Sequence, residues 1–162
     1  SSPPMSAMAT PPAPERAVAI RKAAWRAHVP GLAALARRLA AAAEAEAIAD
    51  GAPPLAGDTT LAFAGDRAVQ ALNRSFRGQN KPTNVLSFPS PAGGGDVILA
   101  LETVLAEAAG QGKPVRDHTA HLIVHGILHL MGYDHMARGE ARRMEKLERR
   151  VLGRFGIGDP YA

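Results

Sequence analysis

His125-Gly-Ile-Leu-His129-Leu-Met-Gly132-Tyr-Asp-His135 is the stretch that organises the chain. Two histidines four residues apart lie on one face of an α-helix, with Cβ atoms roughly 5–6 Å apart, so their imidazoles can converge on one ion. His135 cannot join them if the helix continues, because at ~1.5 Å per residue it would sit ~15 Å along the axis from His125. Gly132 resolves this: glycine tolerates the left-handed conformation that ends helices, and a turn there returns the third imidazole. Three histidines on one metal, with the fourth tetrahedral position open to water, is the arrangement of catalytic zinc. The pattern arises by chance in on the order of one chain per thousand of this composition. The competing reading is histidines packed in a core. Leu122, Ile123, Val124, Ile127, Leu128, Leu130 and Met131 make the helix apolar nearly all round, and buried imidazoles need partners that a shared metal supplies.

Outward from this stretch, the chain reads as one domain. Residues 17–25 read as a first strand, and residues 32–49 as an alanine-rich helix between Pro30-Gly31 and Gly51. Residues 59–64 read as a second strand, with Leu61 and Phe63 on one face. A helix runs from Asp66 through Phe76 on Val69, Leu72 and Phe76. A polar loop, 77–83, leads to a third strand at 84–88. Residues 96–101 suit a buried fourth strand, and a helix to about Ala109 follows. The histidine helix starts at Pro114 or Asp117. The last helix spans about Ala137 to Phe155, with an apolar stripe of Ala141, Met144, Leu147, Val151 and Phe155. The fold class is α/β (α+β): a small mixed sheet of about four strands covered by about five helices. Residues 1–15, with five prolines, read as a flexible tail, and 16–162 as a single metal-dependent domain.

Composition narrows the function. The 162 residues contain no cysteine, which excludes disulfides and thiolate ligands, so histidine or carboxylate must hold any metal. No apolar run reaches membrane-spanning length, no secretory signal is apparent, and a cytoplasmic location is expected. The net charge of +4 suits an anionic partner such as RNA, although ordinary solvated surface accounts for it equally well.

Zinc on three neutral histidines lowers the pKa of its water to about 7 and acts as a Lewis acid, so hydrolysis is the expected reaction class. The spacing matches the metzincin peptidase pattern at every histidine and at the glycine. Those enzymes, however, place a glutamate base after the first histidine, and here that position is Gly126. Gly126 costs roughly 1 kcal/mol of helix propensity, which points to close approach at its backbone or to packing beneath another helix. Asp134 is either a base or, the favoured reading, a hydrogen-bond partner that orients His135. His121, four residues before His125, is read as a supporting or packing histidine. His118 and His28 are read as surface or turn residues, and Asp96 as a strand-start residue.

The histidine stretch resembles the signature of the YbeY family of bacterial zinc-dependent endoribonucleases. Residues 72–89 (Leu72-Asn-Arg-Ser-Phe-Arg77 through Phe88-Pro89), Gly95-Asp-Val-Ile98 and Asp159-Pro-Tyr161 agree with it, and the resemblance covers roughly residues 16–161. It implies a single-domain α/β fold, one Zn2+ per chain on His125, His129 and His135, and single-strand-preferring RNA cleavage. It further implies maturation of the 3′ end of small-subunit ribosomal RNA, ribosome quality control and association with the small ribosomal subunit. Arg77 matches the family's functional arginine, and a guanidinium can grip phosphate and stabilise its developing charge. Lys81 and Asn84 are candidate substrate contacts, with Asn84 alternatively bonding turn backbone. The family often has Lys-Asp-Lys-Pro where this chain has Gln79-Asn-Lys-Pro82, so charge beside Arg77 is reduced. Either zinc-bound water or the RNA 2′-hydroxyl is the nucleophile. Two rival functions stand beside this one: a zinc-binding ribosome-assembly factor without catalysis, and a metallopeptidase, which Gly126 disfavours.

Overall fold

A computed structural model describes residues 13–79, 83–133 and 138–162. Four strands, β1 (Arg16–Ile20), β2 (Thr59–Ala64), β3 (Val85–Pro89) and β4 (Gly95–Ala100), form one sheet in the order β1-β2-β4-β3. β1 and β4 flank β2 in parallel, while β3 closes the sheet as an antiparallel edge strand on β4. The helices are α1 (Ala24–His28), α2 (Leu32–Ala49), α3 (Asp66–Arg77), α4 (Leu101–Gln111), α5 (Val115–Leu130) and α6 (Arg138–Arg154).

The strand alternation assigns the layers. Leu61, Phe63, Val97 and Leu99 face the main core with α2, α5 and α6, whereas Ala64, Leu86, Phe88, Ile98 and Ala100 face a smaller cluster with Val69 and Leu72 of α3. β4 is thus covered on both faces, as its continuous apolar run requires. The α/β class, the mixed four-stranded sheet and the single domain agree with expectation, with six helices among the described residues rather than about five.

One element differs in kind. The strand expected over 17–25 ends at Ile20, and residues 24–28 are helical. Trp25 decides this turn: its ring is buried edge-to-face against Phe63, 5.3 Å between centres, and its Nε1–H donates to the Ala64 carbonyl at 2.8 Å. An extended chain would carry the indole past that carbonyl. Residues 1–12 of the expected tail lie outside the described residues. Glu15, at its end, donates its backbone N–H to Asp58 and accepts from the Thr59 N–H.

Candidate metal centre and nucleic-acid cleft

α5 lies against the sheet edge, and from His118 to its end every residue is buried except His121, His125 and His129, which mark one partly open stripe. The close approach of α5 to the sheet has a local cause. A Cβ on Gly126 would meet Val97 Cγ1 at 2.5 Å, and the Gly126 carbonyl accepts a hydrogen bond from Ser87 Oγ at 3.1 Å. Glycine at this position lets β3 and β4 reach the helix backbone. The partner in this approach is a strand, not another helix. The same contact leaves no room for the peptidase glutamate.

α5 ends at Leu130, and Gly132 adopts φ +94°. The Gly132 N–H bonds the His129 carbonyl at 3.1 Å and the Tyr133 N–H bonds the Leu128 carbonyl at 3.0 Å, the paired bonds of a glycine-terminated helix end. Beyond it, the Tyr133 hydroxyl donates to Asp50 Oδ2 at 2.7 Å, and Arg143 Nε donates to the same oxygen at 2.6 Å, so the turn is tied to the end of α2 and to α6. The Tyr133 hydrogen bond, with Arg143 beside it, holds the Asp50 carboxyl below its usual range; burial and Asp50 push the Tyr133 phenol up to about 12. His135 and Asp134 lie outside the described residues, as does Lys81.

The Nε2 atoms of His125 and His129 are 3.1 Å apart. That is a hydrogen-bond length, and it also lies within about 0.3 Å of the roughly 3.3–3.4 Å that separates two ligand atoms of a tetrahedral ion with bonds of about 2.0–2.1 Å, so the two nitrogens converge as such a site requires. Behind His125 sits a residue the sequence reading overlooked. Glu148 of α6 is fully buried, with 0% exposure, and its carboxylate accepts from His125 Nδ1 at 3.0 Å, from His121 Nε2 at 2.7 Å and from the Tyr161 hydroxyl at 2.7 and 3.0 Å. Burial alone would raise its pKa, but the bonds from His121 and His125 outweigh that and hold the carboxyl at about 2. The arrangement fixes His125 in the tautomer with Nδ1 protonated and Nε2 available as a ligand. His121, His125 and Glu148 also bring one donor atom each within 4.8 Å of one another, a group able to hold a metal ion. The separations of 2.7 and 3.0 Å within that group are hydrogen-bond lengths.

The signal for Glu148 was present in the sequence. It falls four residues after Met144 and three before Val151, a lone carboxylate on the buried stripe of α6. Its burial needs donors, and α5 and Tyr161 of the Asp-Pro-Tyr ending supply them. His118 also departs from its surface reading. It is buried, and its Nε2 lies 2.9 Å from Glu107 Oε1 of α4, an oxygen that also accepts from Asn84 Nδ2 at 2.9 Å. Asn84 thus bonds a side chain on α4 rather than turn backbone. His28 is exposed at the end of α1, and Asp96 is exposed in β4.

A cavity of about 480 Å³ runs along the edge strand, with His125 and His129 on one wall and Arg77, Asn73 and Asn84 on others. Arg77, the last residue of α3, donates from Nη2 to the Ser87 carbonyl at 3.1 Å and lies 5.7 Å from the centre of the Phe88 ring. The fold therefore brings Arg77 and two histidines to one cleft from segments nearly fifty residues apart.

Residues 22–156 match the family model described as Endoribonuclease YbeY. The chain is 50% identical over 153 residues to the Endoribonuclease YbeY of Rhodospirillum rubrum, covering 85% of this chain and 76% of that one. It is 48% identical over 160 residues to that of Paramagnetospirillum magneticum, covering 91% and 95%. The solution structure of TM1509 from Thermotoga maritima shares the fold, with a TM-score of 0.54 and 23% identity over 91% of this chain and 99% of that one. No helix among the described residues is long and apolar enough to cross a membrane.

Proposed function

The chain belongs to the endoribonuclease YbeY family, and on that premise we propose that it cleaves single-stranded RNA in a metal-dependent reaction in the cleft along β3. One zinc ion per chain is held by His125, His129 and His135. The observation that carries this reading is the 3.1 Å spacing of two Nε2 atoms on the wall of a cleft that also presents a guanidinium. When bound, zinc supplies Lewis acidity toward a phosphodiester and activates an oxygen nucleophile at neutral pH.

The chain's own residues divide the remaining work. Glu148 keeps the His125 proton on Nδ1, so the ligand lone pair stays on Nε2 and the ring cannot swing. His121 completes the donor set of Glu148 and is a supporting residue, not a ligand. Arg77 grips the non-bridging phosphate oxygens and stabilises the charge that grows on them; its bond to Ser87 O fixes its direction while its other N–H groups serve the substrate. Asn84 commits one N–H of its amide to Glu107, so what it offers RNA is its acceptor oxygen and the other N–H. Lys81 adds positive charge for the backbone, and Asp134 orients His135. The substrate is the 3′ end of small-subunit ribosomal RNA, in maturation and quality control at the small ribosomal subunit, and the setting is the cytoplasm. Peptidase chemistry lacks its base at Gly126, where Val97 occupies the space a side chain would need.

The test is cleavage of a 3′-extended ribosomal RNA precursor by the zinc-loaded protein and by Arg77→Ala. The variant should retain its zinc and its thermal midpoint but lose cleavage by 10²-fold or more, an order of magnitude typical of a transition-state donor. Full activity in Arg77→Ala removes the arginine from the chemistry. A wild-type protein that binds the precursor without cutting it leaves the assembly-factor reading standing instead.

A further inference from the structure

Among the described residues, Phe76 is the most exposed large hydrophobic side chain, at 71%. Its place on α3 explains how this arises. Val69 is buried and Leu72 half-buried against the sheet, whereas Phe76, one turn later at the end of α3, is left exposed beside the edge strand β3. The ring is not without support. It stands edge-to-face on Phe88, 5.7 Å between centres at 64°, and Phe88 in turn carries the Arg77 guanidinium 5.7 Å from its own centre. Phe88 is thus a shared base that fixes an exposed aromatic ring next to the arginine lining the cleft. Arg74, exposed in the same last turn of α3, adds positive charge to that end of the helix.

We propose that Phe76 is a stacking platform for an unpaired nucleobase next to the phosphate gripped by Arg77. The proposal rests on the RNA-cleaving reading and names a substrate contact within it. An exposed aromatic ring next to a guanidinium suits single-stranded nucleic acid: the ring takes a base and the cation takes the neighbouring phosphate. It also accounts for single-strand preference, since a duplex base is already stacked on both faces and cannot offer one to the protein.

The experiment uses the full-length, zinc-loaded protein and a short single-stranded RNA that carries 2-aminopurine and 2′-O-methyl groups, with gel analysis after each titration verifying that the RNA is still intact. Affinity is read by anisotropy, and stacking by quenching of 2-aminopurine fluorescence. Phe76→Ala should weaken binding at least about fivefold and abolish the quenching, with zinc content and thermal midpoint unchanged. Phe76→Tyr should restore both. Phe76→Leu, apolar but without a π-face, should behave like Phe76→Ala; if it binds as wild type does, stacking is refuted. Unchanged affinity and quenching in Phe76→Ala, with wild-type cleavage intact, overturns the platform and leaves the RNA reading in place. A wild type that neither binds nor cleaves single-stranded RNA overturns both. Unchanged RNA binding with reduced self-association on sedimentation assigns the ring to contact with a second copy of the chain, and likewise overturns the proposal.

Discussion

Replacing Glu148 with glutamine separates two roles for its carboxylate: orienting His125 from behind, or binding the metal itself. The side chain is fully buried and satisfies three donors, from His121, His125 and Tyr161. Glutamine keeps the volume but has one acceptor oxygen, and its NH2 must face one of those donors. Each charge-assisted bond is worth about 1.5–3 kcal/mol and a neutral one about 0.5–1.5. Weakening two by about 1–1.5 kcal/mol each and losing the third therefore costs the fold about 3.5–6 kcal/mol, which a domain in the upper part of the usual range of about 5–15 kcal/mol survives. The effect on metal is of a different kind. If Glu148 only holds His125, loss of that support lowers zinc affinity about 10–100-fold, equivalent to about 1.4–2.7 kcal/mol, while one zinc per chain still binds at saturation. If instead His121, His125 and Glu148 are the ligands, Glu148→Gln and His121→Ala both abolish stoichiometric zinc and His129→Ala leaves it intact. Competition titration against a chelator, with elemental analysis after gel filtration, reads both quantities. The expected result is weakened but stoichiometric zinc in Glu148→Gln and no stoichiometric zinc in His129→Ala. Unchanged affinity in Glu148→Gln, or intact zinc in His129→Ala, refutes the reasoning.

The Gly126 contact predicts strong coupling with Val97. A Cβ 2.5 Å from Val97 Cγ1 overpacks the helix–sheet interface by about 1–3 kcal/mol, offset by about 1 kcal/mol of helix propensity, so Gly126→Ala costs about 0–2 kcal/mol net. In a thermal-unfolding double-mutant cycle, Gly126→Ala with Val97→Ala should cost at least about 0.5 kcal/mol less than the sum of the single changes; strict additivity contradicts the contact. Gly132→Ala forces a side chain into positive φ at the helix end and should cost about 1–3 kcal/mol in chemical denaturation while weakening zinc binding; an unchanged midpoint removes the strain argument. The chain's two tyrosines, Tyr133 and Tyr161, are both pushed above the usual value of 10 by burial and by bonds to Asp50 and Glu148. A raised acid pKa means the stabilisation is complete below pH 10 and is lost as pH rises toward 12, so the folded protein should show little phenolate absorbance at 295 nm at pH 10.5, where the guanidinium-unfolded chain shows most of it. Equal titration in the two states contradicts both hydrogen bonds.

What was legible in the sequence was what local patterning controls. Alternation in Leu61–Phe63 and the apolar run of β4 place the central strands, and Gly132 marks the end of α5 because positive φ is a property of one residue. The departures come from partners distant in the chain. Nothing in residues 21–25 announces the helix at Trp25, since five residues carry little helical signal and the bond that fixes the indole is to Ala64. His118 resembles a surface histidine until Glu107 on α4 buries it. Glu148 disappears among the charges of α6, and only its position on the stripe of Met144 and Val151 distinguishes it. The recognition of His125 and His129 needed no tertiary information, because an i, i+4 pair is brought together by the helix itself; the convergence of Arg77 on the same cleft depends on β3 lying at the sheet edge beside α5.

The most direct test of a metal-centred RNA-cleaving cleft is cleavage of single-stranded ribosomal RNA by one preparation in three states: chelator-stripped, zinc-restored, and His129→Ala with zinc supplied. Cleavage is expected only in the zinc-restored wild-type protein. Equal cleavage by the stripped protein, or by His129→Ala, contradicts it.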